Sequence, residues 1–149
     1  MIDEISHKIL KILQEKARIP NVEVARQVGM APSAVLERIR KLEKQGIIDG
    51  YEVRLNPERF DRTLVAFVHV TVETGSNHPA LETRLCELPE VQELHYISGE
   101  DGYLIKVRTS DTKALGSLVQ EKIGAFAGVI AIRTTIVFST LKETSRFPL

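Results

Sequence analysis

The period of the apolar residues changes near Gly50, and no single uniform architecture suits both parts of the chain. Before that point Ile5, Ile9, Ile12 and Leu13 recur at spacings of three and four, which predicts an amphipathic helix over Asp3–Ala17 with Asp3 or Ser6 as its N-cap. Pro20 stops it, and Asn21 is expected to cap a short second helix carrying Val24, Ala25 and Val28 and ending at Gly29. Pro32 suits the first position of a third helix, with Val35, Ile39 and Leu42 on one line and Gly46 as its stop.

Beyond Gly46 the pattern is extended. Tyr51–Leu55 reads as a wing or linking strand closed by Asn56-Pro57. Leu64–Thr74 is a strand rich in β-branched residues, and His78–Leu88 is a helix closed by Pro89. Val91–Ser98 and Tyr103–Thr109 are strands flanking the turn Gly99-Glu100-Asp101-Gly102; Asp111 caps a helix to Phe126, and Val129–Leu141 is the last strand. The order βαββαβ is that of ferredoxin-like domains. The expected class is therefore α+β: a winged helix-turn-helix over residues 1–50, a linking strand and hinge over 51–63, and a ferredoxin-like domain over 64–149.

Composition narrows the function classes. With 149 residues and 43% apolar side chains the chain can build real cores. Its 20 basic and 20 acidic residues cancel, so charge has to be read locally. A single cysteine, Cys86, excludes an internal disulfide and suits a reducing compartment. The start is acidic and the longest stretch free of charge and strong polarity, Ile123–Ile132, is far short of a membrane span, so cytoplasm and no membrane partner are expected.

Local charge points to nucleic acid. Within Asn21–Leu42, Ala25 stands where two helices must approach closely, Gly29 where a turn needs left-handed backbone, and Val35 where the third helix packs on the second. This is helix-turn-helix spacing. With Val35, Ile39 and Leu42 inside, a rotation of about 100° per residue puts Ser33, Glu37, Arg40, Lys41 and Lys44 on the outward face, with Ala34 and Arg38 flanking it. Up to Gly50 there are nine Lys or Arg against seven Asp or Glu, and from Tyr51 onward eleven against thirteen. Double-stranded DNA is the expected partner, although small three-helix units of this kind also mediate protein contacts.

The whole chain resembles the Lrp/AsnC, or feast-or-famine, family of transcription regulators. The residues that carry the resemblance are Ile2-Asp3-Glu4-Ile5 with Ile9-Leu10, the run Met30–Glu43, Gly46–Tyr51, and Ser98-Gly-Glu-Asp-Gly-Tyr-Leu-Ile-Lys-Val107. The resemblance implies a dimerising C-terminal domain that senses small molecules, usually amino acids held between subunits, and dimers that assemble further, to an octamer for instance. This chain departs from the family pattern in places: Ala31 leaves the third helix without a capping side chain, and in the turn the acid falls one place early and an aromatic is missing.

A free amino acid needs N–H donors for its carboxylate and an acid or carbonyls for its ammonium, and Ser98, Gly99, Glu100, Asp101 and Gly102 offer both. Without a ligand the same residues make an ordinary polar hairpin turn. A dimer is further expected because one short helix reads few bases, with Phe67, Ile105, Val107, Ile136 and Phe138 as candidates for either face of the sheet.

His69, His78, His95 and Cys86 lie on different elements, none at a paired ligand spacing, and no phosphate loop, nucleophile elbow or paired carboxylates are present. No catalytic group, cofactor or metal is therefore expected. The alternatives are a sirohaem decarboxylase-like subunit, because those enzymes resemble the same two-domain framework, and an amino-acid-binding module without DNA contact.

Overall fold

A computed structural model describes residues 2–75, 78–98 and 102–149. It divides into two compact units, one formed by Met1–Arg54 with Glu143–Leu149 and the other by Leu55–Lys142.

The first unit holds three helices, α1 (Glu4–Glu15), α2 (Asn21–Val28) and α3 (Pro32–Lys44). Ile9, Val24, Ala25, Val35 and Ile39 form its core, ringed by Ile5, Ile12, Leu13, Ile19, Val28, Met30 and Ile48. Ala25 is 2% exposed, which is what a close helix crossing requires. Gly29 ends α2 in left-handed backbone (φ 70°), and the Met30 N–H closes the turn on the Ala25 carbonyl at 3.0 Å. The N-cap of α2 is Pro20 and not Asn21, which is already helical; neither α2 nor α3 has a side-chain cap.

Asp3 is the N-cap of α1, and its two carboxylate oxygens do different things. Oδ1 accepts the Ser6 N–H at 2.7 Å, whereas Oδ2 accepts Arg38 Nη1 of α3 at 2.6 Å. The same Nη1 donates to Ser6 Oγ at 3.1 Å, and Ser6 is buried. Arg38 and the Ser6 N–H hold the Asp3 carboxyl well below the usual carboxylate range. At the far end of α3 the Tyr51 hydroxyl donates to Glu43 Oε1 at 2.9 Å, and burial together with that acid pushes the phenol up to about 12. The expected linking strand over Tyr51–Leu55 enters no ladder among the described residues. An isolated extended segment has no partner to bond to.

The second unit is a four-stranded antiparallel sheet of β1 (Leu64–Val72), β2 (Val91–Ile97), β3 (Gly102–Thr109) and β4 (Val129–Ile136) in the order β2-β3-β1-β4. Helix α4 (His78–Cys86) lies between β1 and β2 in the chain, and α5 (Thr112–Ser117) follows β3. Asp111 caps α5 as expected, its Oδ1 accepting the Ala114 N–H at 2.8 Å. The helix then widens into a π-helical stretch, Leu118–Ile123. The last strand ends at Ile136 and not at Leu141.

Register assigns the faces. Ala66, Val68 and Val70 of β1 sit beside Ile105, Val107 and Tyr103 of β3 in the core, under Leu81 and Leu85 of α4 and Leu115, Leu118 and Ile123 of the second helical segment. Both helices therefore cover one face. Of the candidates for either face, Ile105 and Val107 belong to this covered side. Ile136 lies opposite Ala66 on that side, Phe138 lies past the strand, and Phe67 points to the open face. Within the core Tyr103, 1% exposed, donates to Glu82 Oε1 at 2.8 Å and lies 3.1 Å from His78 Nδ1. Burial and Glu82 raise its phenol above the ordinary value.

Two outcomes follow. Tyr103→Phe removes the donor to a partly buried acid and is expected to cost about 1–3 kcal/mol in urea unfolding. Because the native Asp3 carboxyl lies below its ordinary value of 3.8, its stabilising effect is complete above that pH and fades as the pH falls through the depressed native value. Unfolding followed from pH 7 downward should show wild type ahead of Asp3→Asn, with the gap closing below about pH 4. A gap independent of pH would remove the Asp3–Arg38 account.

Candidate nucleic-acid interface and effector cleft

The outward face of α3 is built as its spacing predicts. Ser33, Glu37, Arg40, Lys41 and Lys44 are exposed, and Ala34 is half-buried beside them. Three cations against one acid make this face basic. The uncapped start of α3 leaves its first N–H groups without a side-chain acceptor from Ala31, a terminus suited to an anion. Arg38 differs from the others. Its guanidinium is half-buried in the Asp3 and Ser6 contacts, so it sets how α3 lies on α1 before it offers charge to anything outside. Spacing placed Arg38 beside the face but contained no sign of a partner 35 residues earlier.

The turn expected to bind an effector is described only in part. Gly99, Glu100 and Asp101 lie outside the described residues, and Ser98 and Gly102 are at its ends. Gly102 pairs with Thr71 at the end of the β1–β3 ladder, and a Cβ there would run into the Val70 carbonyl oxygen. Only glycine lets the two backbones approach so closely. Ser98 lines a cleft of about 450 Å³ on the open face of the sheet, together with Phe67, His69, Ile97, Leu104, Arg133 and Thr135. His69 is 92% buried by its neighbours, since only 8% of it is exposed. Farther along this face His95 Nε2 and Lys106 Nζ meet Glu93 at 3.2 and 3.4 Å. The cleft thus combines a guanidinium, an imidazole, two hydroxyls and apolar walls. His69 and His95 are on strands as expected, and His78 opens α4. Among the described residues no three His, Cys, Asp or Glu side chains converge as metal ligands would, and no helix is long and apolar enough to cross a membrane.

The chain is similar to known transcription regulators. Residues 2–49 match the winged helix-turn-helix DNA-binding model, and residues 65–147 match the Lrp/AsnC ligand binding domain. The leucine-responsive regulatory protein of Escherichia coli (strain K12) is 39% identical over 147 residues, covering 97% of this chain and 90% of that protein. A transcriptional regulator from Neisseria meningitidis solved as an L-Met complex superposes with a TM-score of 0.94 at 30% identity, over 99% of this chain and 97% of that one. The feast or famine regulatory protein of M. tuberculosis, complexed with L-methionine, gives 0.90 at 32% identity over 99% of both chains. These likenesses place the chain with the regulators and not with the sirohaem decarboxylases. On its two matched domains and its near-complete overlap with these proteins, the chain belongs to the Lrp/AsnC family of DNA-binding transcription regulators.

Proposed function

We propose that this chain regulates transcription by laying α3 in the major groove, with Ser33, Ala34 and Glu37 facing base edges and Arg40, Lys41 and Lys44 meeting phosphate. The observation that supports this most is the exposed basic face of a helix whose other side is packed and whose orientation is held by the Asp3–Arg38 pair. Arg38 acts as a positioning residue in this reading. Residues 51–63 serve as the hinge between the DNA-reading and sensing parts.

The functional unit is a homodimer, able to build larger rings, formed through the open face of the sheet. Phe67, Ile97 and Leu104 lie on that face without a covering helix, and a second copy would shield them from water. The same packing closes the cleft between two subunits. A small amino acid is the proposed effector, bound at the Ser98–Gly102 turn, and methionine is the first to test because two of the similar structures hold it. The work takes place in the cytoplasm, where DNA and free amino acids meet.

Salt dependence separates the roles of the arginines. Arg40→Ala and Lys41→Ala should each weaken binding to all sequences and reduce the slope of log affinity against log salt by about 0.9. Arg38→Ala should weaken binding with the slope unchanged. A folded Arg40→Ala/Lys41→Ala double variant with wild-type affinity and slope would overturn the assignment of α3.

The sensing half is checked by a thermal-shift screen of the twenty amino acids on wild type and on Gly99→Gln, which fills the turn. An amino acid that stabilises only the wild type supports the site. Stabilisation by none, or equally in both proteins, counts against it, and a monomer by light scattering at micromolar concentration removes the dimer.

A further inference from the structure

The last seven residues, Glu143–Leu149, belong to the same compact unit as the three N-terminal helices, although the sheet stands between them in the chain. What attaches them is the carboxamide of Gln14, near the C-terminal end of α1. Its Oε1 accepts the Phe147 N–H at 2.6 Å and its Nε2 donates to the Phe147 carbonyl at 3.2 Å. One side chain thus satisfies both backbone groups of one residue 133 positions away. Extended backbone presents the N–H and C=O of a residue on the same side, and Pro148 restricts Phe147 to that conformation. The arrangement reads peptide backbone, not a particular side chain: Phe147 itself is 75% exposed.

We propose that the α1 surface around Gln14 is a docking site for the chain's own C-terminal segment, and that docking gives the winged-helix unit a second tether. Its first connection to the sheet unit leaves at Arg54; the second returns at Glu143, soon after Val137 makes its last backbone bond to Val65 at 2.9 Å. A unit held at two points explores fewer orientations than a unit held at one. For a dimer reading two half-sites, the second helix then meets its half-site at a higher effective concentration. Two exposed hydrogen bonds make a light strap, closed in the resting protein and weak enough to be adjusted from the sheet through β4.

This rests on the DNA-binding reading above, and the test has two arms so that the two can fail separately. Amide exchange in full-length protein should show the Phe147 N–H protected in wild type, exposed in Gln14→Ala, and intermediate in Gln14→Glu, which keeps the acceptor and loses the donor. The second arm uses duplexes carrying one or two copies of a half-site selected from random sequence by the wild-type protein. Gln14→Ala and a chain ending at Lys142 should lose roughly three- to tenfold in affinity for the two-site duplex and nothing for the one-site duplex. An unprotected Phe147 amide in wild type overturns the docking, and protection that vanishes on dilution assigns the segment to a second copy and overturns the strap. Equal losses on both duplexes, or no loss on either, overturn the tethering. If wild type selects no sequence, the DNA-binding reading fails and exchange alone decides the docking.

Discussion

The Asp3 carboxylate supports both ends of one contact. One oxygen satisfies an N–H at the start of α1 and the other holds the Arg38 guanidinium of α3, so the presentation of the outward face depends on the first turn of the chain. The pair is exposed enough for water to weaken its charge–charge attraction. Its value lies in direction: a carboxylate fixed as a cap cannot turn away, and the arginine it accepts is fixed with it. The apolar core beneath decides that the three helices fold, and this contact fixes the angle at which α3 is held.

The sheet unit rests on a comparable division of labour within β1, which pairs with β3 on one side and β4 on the other. Alternate residues of that strand do unlike work. Val68 and Val70 are sealed under α4 and α5, while Phe67 and His69 line a cleft on the opposite surface. A one-residue slip would exchange the two sets and destroy core and cleft together, so the packing that stabilises the unit also specifies the cleft on its open face.

Much of this was legible in the residue pattern, and the misses have physical causes. Helices one to three, the four strands and their order follow from period, caps and β-branched runs, because those signals are local. Gly29 announced its turn through the backbone it must adopt. The π-helical stretch after α5 was invisible, since a wider turn leaves no mark on a 3.6-residue stripe. The strand expected over Tyr51–Leu55 has the right residues, but pairing is a property of two segments and pattern reports one. Rotation about α3 identified its exposed side chains correctly, yet Arg38 and Gln14 find their partners 35 and 133 residues away. No periodicity encodes such distances.

Ser33 and Glu37 are exposed on a helix whose opposite side does the packing. Substitutions at such surface positions usually change stability by no more than about 0.5 kcal/mol, whereas Val35, Ile39 and Arg38 are held by the fold. In the proposed reading of α3, address and framework are therefore written in separate residues of the same thirteen-residue helix. On that reading, a descendant of this chain can acquire a new operator by altering the first set alone, and its ability to fold does not restrict which operator that is.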